Sequence, residues 1–173
     1  MICSIQKTIL AFAAPCHKLS CSSSLWRRGL LELNNRGREK GESGAFLLGF
    51  EERHRKHIRR FVFYDDLDIH CLDRGFINFD GSEYGKLWEL CRVTGLVVVA
   101  DVHTHPGPAR QSMIDQRNPM IAQKGHVGIL VPNFAHKIYK ARDLGVYEYE
   151  GGHRWKEFVG KDAAAYFYIG LGG

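Results

Sequence analysis

The feature that most constrains this chain is an apolar segment that runs directly into two histidines. Gly95–Ala100 is the longest apolar run in the 173-residue sequence, far too short to span a membrane. Its continuous apolar character is typical of a central strand buried on both faces. The strand continues through His103 and His105 and ends at Pro106, which favours an extended residue before it. Residues two apart on a strand share a face, so both imidazoles can reach one metal ion.

Length and composition describe a single globular domain. Hydrophobic residues make up 45% and charged residues 25%, which excludes a disordered tail, a collagen-like repeat and a coiled-coil rod. We predict one domain over residues 25–160, with an N-terminal segment over 1–24 and a C-terminal tail over 161–173 that ends in Gly-Gly.

The cysteines and the N-terminal residues indicate in which cellular compartment the protein is expected. The five cysteines are odd in number and form no C-x-x-C pair, which favours neither a disulfide framework nor a cysteine metal site. The apolar stretch Thr8–Ala14 follows a single basic residue and is short for an export signal. We expect a cytoplasmic protein without a membrane partner.

The periodicities predict an alternation of helices and strands. Helices are predicted over Leu25–Arg36 and from an N-cap at Ser82 to Gly95, and a loop over Ser20–Ser24. The predicted strands are Gly41–Phe50, Ile58–Tyr64, Phe76–Phe79, Leu96–Val102, His126–Val131, Ala135–Tyr139, Val146–Tyr149 and Arg154–Phe158. This order indicates an α+β fold, an α/β/α sandwich.

A short loop after His105 leads to Ser112-Met113-Ile114-Asp115, which has two interpretations. S-x-x-D is a helix capping box, in which both side chains satisfy backbone amides. After H-T-H-P, however, it also supplies a carboxylate as a third ligand and a hydroxyl beside the metal.

Two imidazoles and one carboxylate leave the fourth position of a tetrahedral zinc ion open, as in catalytic rather than structural sites. Zinc lowers the pKa of a bound water toward ~7, and such a site needs a general base that is not a ligand. Glu42, which opens the apolar strand Gly41–Phe50, is the candidate base; a carboxylate there is also typical of a solvated strand end.

Together these pieces resemble the JAMM (also called MPN+ or JAB) metalloprotease motif: a distant glutamate, H-[S/T]-H-P, a loop and S-x-x-D. The resemblance, closest to prokaryotic JAB proteins, implies a cytidine-deaminase-like mixed sheet flanked by helices. It implies one Zn²⁺ per chain on His103, His105 and Asp115, with Glu42 and Ser112 as catalytic residues. The six-residue loop between His105 and Ser112 is one residue shorter than in many members, and Ala45 replaces a usual glycine.

The function that the resemblance implies is an isopeptidase or peptidase. It would cleave after the C-terminal glycine of a ubiquitin-like modifier, with that modifier, its conjugates and E1- and E2-like proteins as partners, in an antiviral conjugation system. A non-catalytic MPN scaffold and a basic JAB-like module that binds nucleic acid are the alternatives. The net charge of +5 is concentrated in Arg53–Arg60, which the composition predicts to be a solvated turn between two strands. Ordinary packing or surface positions are expected for His126 and His136.

Overall fold

A computed structural model describes residues 16–171, in which helices cover both faces of one mixed eight-stranded sheet. The strands are β1 (Leu19–Ser22), β2 (Gly44–Glu52), β3 (Arg55–Phe63), β4 (Val97–Thr104), β5 (Val127–Val131), β6 (Gly145–Gly151), β7 (Arg154–Phe158) and β8 (Phe167–Gly170). The helices are α1 (Ser23–Arg36), α2 (Tyr64–Leu67), α3 (Tyr84–Thr94), α4 (Met113–Arg117) and α5 (Lys161–Tyr166). The predicted α+β fold is confirmed.

The strand order is β7-β6-β5-β4-β2-β3-β1-β8, so β4 lies in the middle of the sheet. It runs antiparallel to β2 and parallel to β5, and its burial on both sides confirms the prediction of a central strand. At one edge, β1 and β8 pair in parallel, from Leu19 beside Phe167 to Ser22 beside Gly170.

The core lies in two layers because successive residues of β2 point to opposite faces. Ala45 and Leu47 pack in one layer with Trp26, Leu30 and Leu33 of α1. A second layer is formed by residues of β2 and the helices α2 and α3, namely Phe46, Leu48, Tyr64, Leu67 and Leu87. The candidate metal ligands of β4 lie on the face of this second layer, as the register below shows.

Four local predictions are wrong. Ser20–Ser24 is not a loop, since β1 ends at Ser22 and α1 follows; Ser20 is buried and bonds to His57. Phe76–Phe79 is irregular, and Phe79 instead packs its ring on Phe46 and two tyrosines. Ala135–Tyr139 is not a strand; Ala135 ends a 3₁₀ turn, Asn133–Ala135, and the residues after it are irregular. Asp80, not Ser82, caps the turn that enters α3.

Structure extends beyond the predicted 25–160 span on both sides. The strand β1 lies before it, and α5 and β8 lie within the segment 161–173 that was predicted to be a tail. The apolar stretch Thr8–Ala14, Cys3 and the terminal Gly-Gly lie outside the described residues.

Candidate metal centre

The two histidines of the H-T-H-P segment lie at the end of β4 with their rings together. His103 is the seventh residue of the strand, and His105 continues its pairing because its N–H donates to the carbonyl of Val131. The two Nε2 atoms are 3.2 Å apart. His105 is buried and His103 is partly exposed, so the pair lies just inside the surface.

Asp115 reaches the same point from helix α4. Its carboxylate oxygens lie 3.5 Å from His103 Nε2 and 3.2 Å from His105 Nε2. Ser112 and Asp115 also form a capping box, in which Ser112 N–H donates to Asp115 Oδ2 at 2.6 Å. The capping box is therefore present, and it fixes the carboxylate while leaving it directed at the histidines.

These three side chains form the one His/Cys/Asp/Glu group within residues 16–171 whose donor atoms all lie within 4.8 Å of one another. Two nitrogens bound at about 2.0–2.1 Å to a tetrahedral ion would be about 3.3 Å apart, close to the distance between the two imidazoles. Two imidazoles and one carboxylate also match the donor preference of divalent transition metals. The residues present thus fit a metal ion with an open coordination position.

Without an ion, the carboxylate and the imidazoles perturb each other. Burial opposes a charge on His103, but the hydrogen bond and charge of Asp115, with further charge from Asp101 and Glu42, raise its pKa above 6.5. Burial likewise opposes ionisation of Asp115, but hydrogen bonds from His103, His105 and Ser112 lower its pKa far below the usual range. The Asp115 carboxylate is therefore held in its ionised form, which is the form that can bind a metal ion.

Glu42 lies beside this centre through the pairing of β2 with β4. Gly44 pairs with His103, and Ser43 continues the register through hydrogen bonds to Thr104. Glu42 is two residues before Gly44 and hence on the same face as His103, which agrees with the effect of its charge on the histidine pKa. Gly44 must be small, since an added Cβ would meet the ring of Tyr64 at 2.2 Å.

Ser112 lies at the N-cap of α4 with an exposed side chain. Its Oγ accepts a hydrogen bond from Asp115 N–H at 3.2 Å, which leaves the hydroxyl hydrogen free to donate. Because Asp115 lies against His105, the six-residue loop between His105 and Ser112 brings this hydroxyl to the candidate metal centre.

A buried carboxylate behind the histidines was not predicted. Asp101 lies two residues before His103 on the same face; its carboxylate is 2.5 Å from His126 Nε2 and accepts from the hydroxyl of Tyr64 at 3.3 Å. Its Oδ2 is 4.0 Å from His103 Nδ1. The signal in the sequence is an acidic residue in an otherwise apolar strand, at the spacing that places it behind a metal ligand.

The histidine segment is braced from the other side by a strained turn. Asn133, Phe134 and Ala135 all have positive φ, between 49° and 56°, which costs on the order of 1–3 kcal/mol per residue. In this conformation Phe134 N–H donates to the carbonyl of His105 and Asn133 N–H to that of Gly107. The strain therefore accompanies two hydrogen bonds that fix the backbone around a candidate ligand.

The remaining predicted features lie away from this centre. The basic run forms the β2–β3 hairpin; the predicted turn is present but limited to Arg53 and His54, and the run from Arg55 onward belongs to β3. Arg59 lies over the ring of Phe50. His136 lies on the surface and its ring nitrogen bonds to the hydroxyl of Tyr139. Within residues 16–171 no helix has the length and apolar character needed to cross a bilayer.

Comparison with known proteins finds a similar sequence and similar folds. The chain is 24% identical over 125 residues, 72% of its length, to a probable metalloprotease, y4jG, of Sinorhizobium fredii strain NGR234, of which the match covers 77%. Its fold is similar to the solution structure of protein DSY2949 from Desulfitobacterium hafniense, with a TM-score of 0.62 and 15% identity over 87% of this chain and 92% of that one.

A JAB1/MPN domain protein, AF2198 from Archaeoglobus fulgidus, aligns with a TM-score of 0.44 and 19% identity over 77% of this chain and 88% of its own. No family model matches the sequence. The residues that carry the JAMM/MPN resemblance, namely a histidine pair, a distant glutamate and S-x-x-D, lie together on this α+β fold. The similarity to a probable metalloprotease supports that resemblance.

Proposed function

We propose that this protein is a zinc-dependent peptidase that cleaves the bond after the C-terminal glycine of a ubiquitin-like modifier. His103, His105 and Asp115 would hold one zinc ion per chain. The observation that carries the proposal is the convergence of these three side chains to within 3.5 Å of each other, with Glu42 on the same face. The similarity to a probable metalloprotease supports the reaction class.

The ion, when bound, would supply a Lewis acid and lower the pKa of a coordinated water. Glu42 would accept a proton from the attacking water and donate it to the leaving amine, as a carboxylate that is near the metal but not a ligand can do. Its position two residues before β2 suits this role, because its N–H is bound to the carbonyl of Gly75 while the side chain is partly exposed.

Ser112 would stabilise the oxyanion that forms on the substrate carbonyl. Its hydroxyl hydrogen is free because its oxygen accepts from Asp115 N–H, and its side chain is exposed to an incoming substrate. A donor fixed in advance in this way stabilises the developing charge without reorganisation during the reaction.

The proposed substrate class rests on the resemblance to the JAMM family and on the steric requirement that the substrate backbone come close to the metal ion. An extended tail that ends in glycine can pass close to a metal because it has no Cβ to clash. We therefore propose precursors and conjugates of a ubiquitin-like protein as substrates, with E1- and E2-like proteins as partners in an antiviral conjugation system.

The test uses a ubiquitin-like protein fused at its terminal glycine to a short peptide, and a matched fusion in which that glycine is valine. We expect cleavage of the glycine fusion alone, at the junction, by the zinc-loaded protein. Equal cleavage of both fusions, or cleavage of unrelated unfolded proteins at similar rates, would indicate a general peptidase and contradict the proposed substrate.

A further inference from the structure

The two halves of the metal centre are held in very different ways. His103 and His105 belong to a central strand whose backbone pairs on both sides. Asp115 belongs to α4, a helix of five residues, none of which is buried. The side chains of Met113 and Ile114 are 70% and 73% exposed. The packing of the helix therefore does not fix the third ligand, and other contacts must do so.

The first such contact comes from Tyr147 on β6. Its hydroxyl accepts from Gln111 N–H at 3.3 Å and lies 3.1 Å from the Ala109 carbonyl and 2.9 Å from Glu157 Oε1. The single hydroxyl hydrogen is shared between these two acceptors. Gln111 directly precedes Ser112, so Tyr147 holds the chain one residue before the S-x-x-D segment.

The second contact comes from Trp155 on β7. Its indole Nε1–H donates to the carbonyl of Gln116 at 3.1 Å, and its ring packs against Tyr149 with ring centroids 4.8 Å apart. Gln116 directly follows Asp115. The β6–β7 hairpin thus holds the S-x-x-D segment at both ends.

The loop is not packed on all sides. A cavity of about 220 Å³ is bordered by Pro108, Ala109 and Arg110 of the loop and, opposite them, by residues 142–144, Glu157 and residues 159–160. On its inner side the loop backbone lies very close to β6, where a Cβ added at Gly145 would be 2.1 Å from the Ala109 carbonyl oxygen. The loop is therefore held in place by hydrogen bonds such as those of Tyr147, rather than by surrounding side chains.

We infer that Tyr147 and Trp155 are positioning residues for the third metal ligand: they set Asp115 and Ser112 relative to the two histidines. This inference rests on the proposed function, in that a metal binds at His103, His105 and Asp115. It also explains how a loop of six residues delivers Ser112 to the centre.

The decisive variant is Tyr147→Phe, which keeps the ring and removes only the hydroxyl. Its matched control is Tyr149→Phe, two residues along the same strand, whose hydroxyl accepts from His153 N–H in the hairpin turn. We expect Tyr147→Phe to weaken Zn²⁺ binding about 10- to 100-fold in a chelator competition, as loss of a partner that orients a ligand typically does. The Co²⁺ absorption spectrum should change in the same variant, and Tyr149→Phe should match wild type in both measurements.

A second measurement tests whether the effect passes through Asp115. In an Asp115→Asn background, Tyr147→Phe should weaken Zn²⁺ binding much less than it does in wild type, since residues acting through one another are not additive. A general loss of stability would lower the unfolding midpoint of the metal-free protein without this coupling.

Two outcomes would overturn the inference while leaving the proposed function intact. One is wild-type Zn²⁺ affinity in Tyr147→Phe, and the other is an undiminished effect in the Asp115→Asn background. If the wild-type protein itself binds no metal, the proposed function fails as well. Circular dichroism of each metal-free variant shows that it is folded before its affinity is compared.

Discussion

His126 Nε2 lies 2.5 Å from the Asp101 carboxylate, and both residues are buried behind the metal centre. When a carboxylate is ionised it can only accept a hydrogen bond, and the facing nitrogen of His126 is then the donor. Because Asp101 is also 4.0 Å from His103 Nδ1, the pair connects β5 to the strand that bears the first candidate ligand.

We predict that His126→Ala lowers the free energy of unfolding by about 1–3 kcal/mol, since it leaves a buried carboxylate with fewer partners. Urea unfolding of the metal-free protein measures this loss. His136→Ala is the control, because His136 is exposed and its loss should change stability by less than about 0.5 kcal/mol. Equal losses in the two variants would argue against a special role of the buried pair.

The metal content of the purified protein is the next prediction. We expect one equivalent of zinc in wild type and its loss in a variant with both His103→Ala and His105→Ala, because only the Asp115 carboxylate would remain of the three donors. Elemental analysis after dialysis measures both. Absence of zinc from wild type, or a full equivalent in the variant, would show that the metal is not held here.

Replacement of Glu42 separates metal binding from proton transfer. Glu42→Gln should fold and keep its zinc but lose activity on the glycine fusion by ~10²-fold or more, because the amide cannot accept the proton. Glu52→Gln, on the exposed end of β2, is the control and should retain activity. Loss of zinc would instead make Glu42 a ligand, and normal turnover would remove it from the mechanism.

The pH dependence of the metal-free protein tests the coupling within the centre. Burial lowers the pKa of His103, but the hydrogen bond and the charge of Asp115 outweigh it and raise the pKa above 6.5. Its contribution to stability is therefore complete below pH 6.5 and is lost as the pH rises through the folded-state pKa. Asp115, whose pKa is lowered, contributes above pH 3.8 and loses this contribution as the pH falls through its folded-state value.

Denaturant unfolding of chelator-treated protein between pH 6 and 9 measures the first effect. We expect the difference in unfolding free energy between wild type and Asp115→Asn to shrink as the pH rises, because neutral His103 no longer gains from the carboxylate. A difference that stays constant over this range would contradict the assigned direction of the His103 pKa.

The motif could be predicted from the sequence because strand geometry places His103 and His105 together without any knowledge of the rest of the fold. Arg154–Phe158 was likewise predicted with its observed bounds, since it alternates between turn signals. The conjunction of Ser112 and Asp115 with the histidines was predicted from the position of S-x-x-D one short loop after H-T-H-P, because S-x-x-D alone is also a capping box.

The features that could not be predicted from the sequence depend on tertiary contacts. Ser20 and Ser22 favour a loop locally, yet β1 forms because β3 and β8 both offer it backbone partners. Phe76–Phe79 alternates like a strand, but Phe79 finds its stability in an aromatic cluster instead. Tyr147 gave no signal, since its role lies in three contacts to distant parts of the chain.

The parallel pairing of β1 with β8 has a mechanical consequence. Leu19 lies beside Phe167 and Ser22 beside Gly170, so a tensile force between residues 19 and 170 pulls the two strands in opposite directions along their common axis. Such a shear loads all hydrogen bonds of the ladder together. The same force applied between the two ends of the antiparallel β6–β7 hairpin would break its bonds one after another, beginning at the pair Val146 and Phe158.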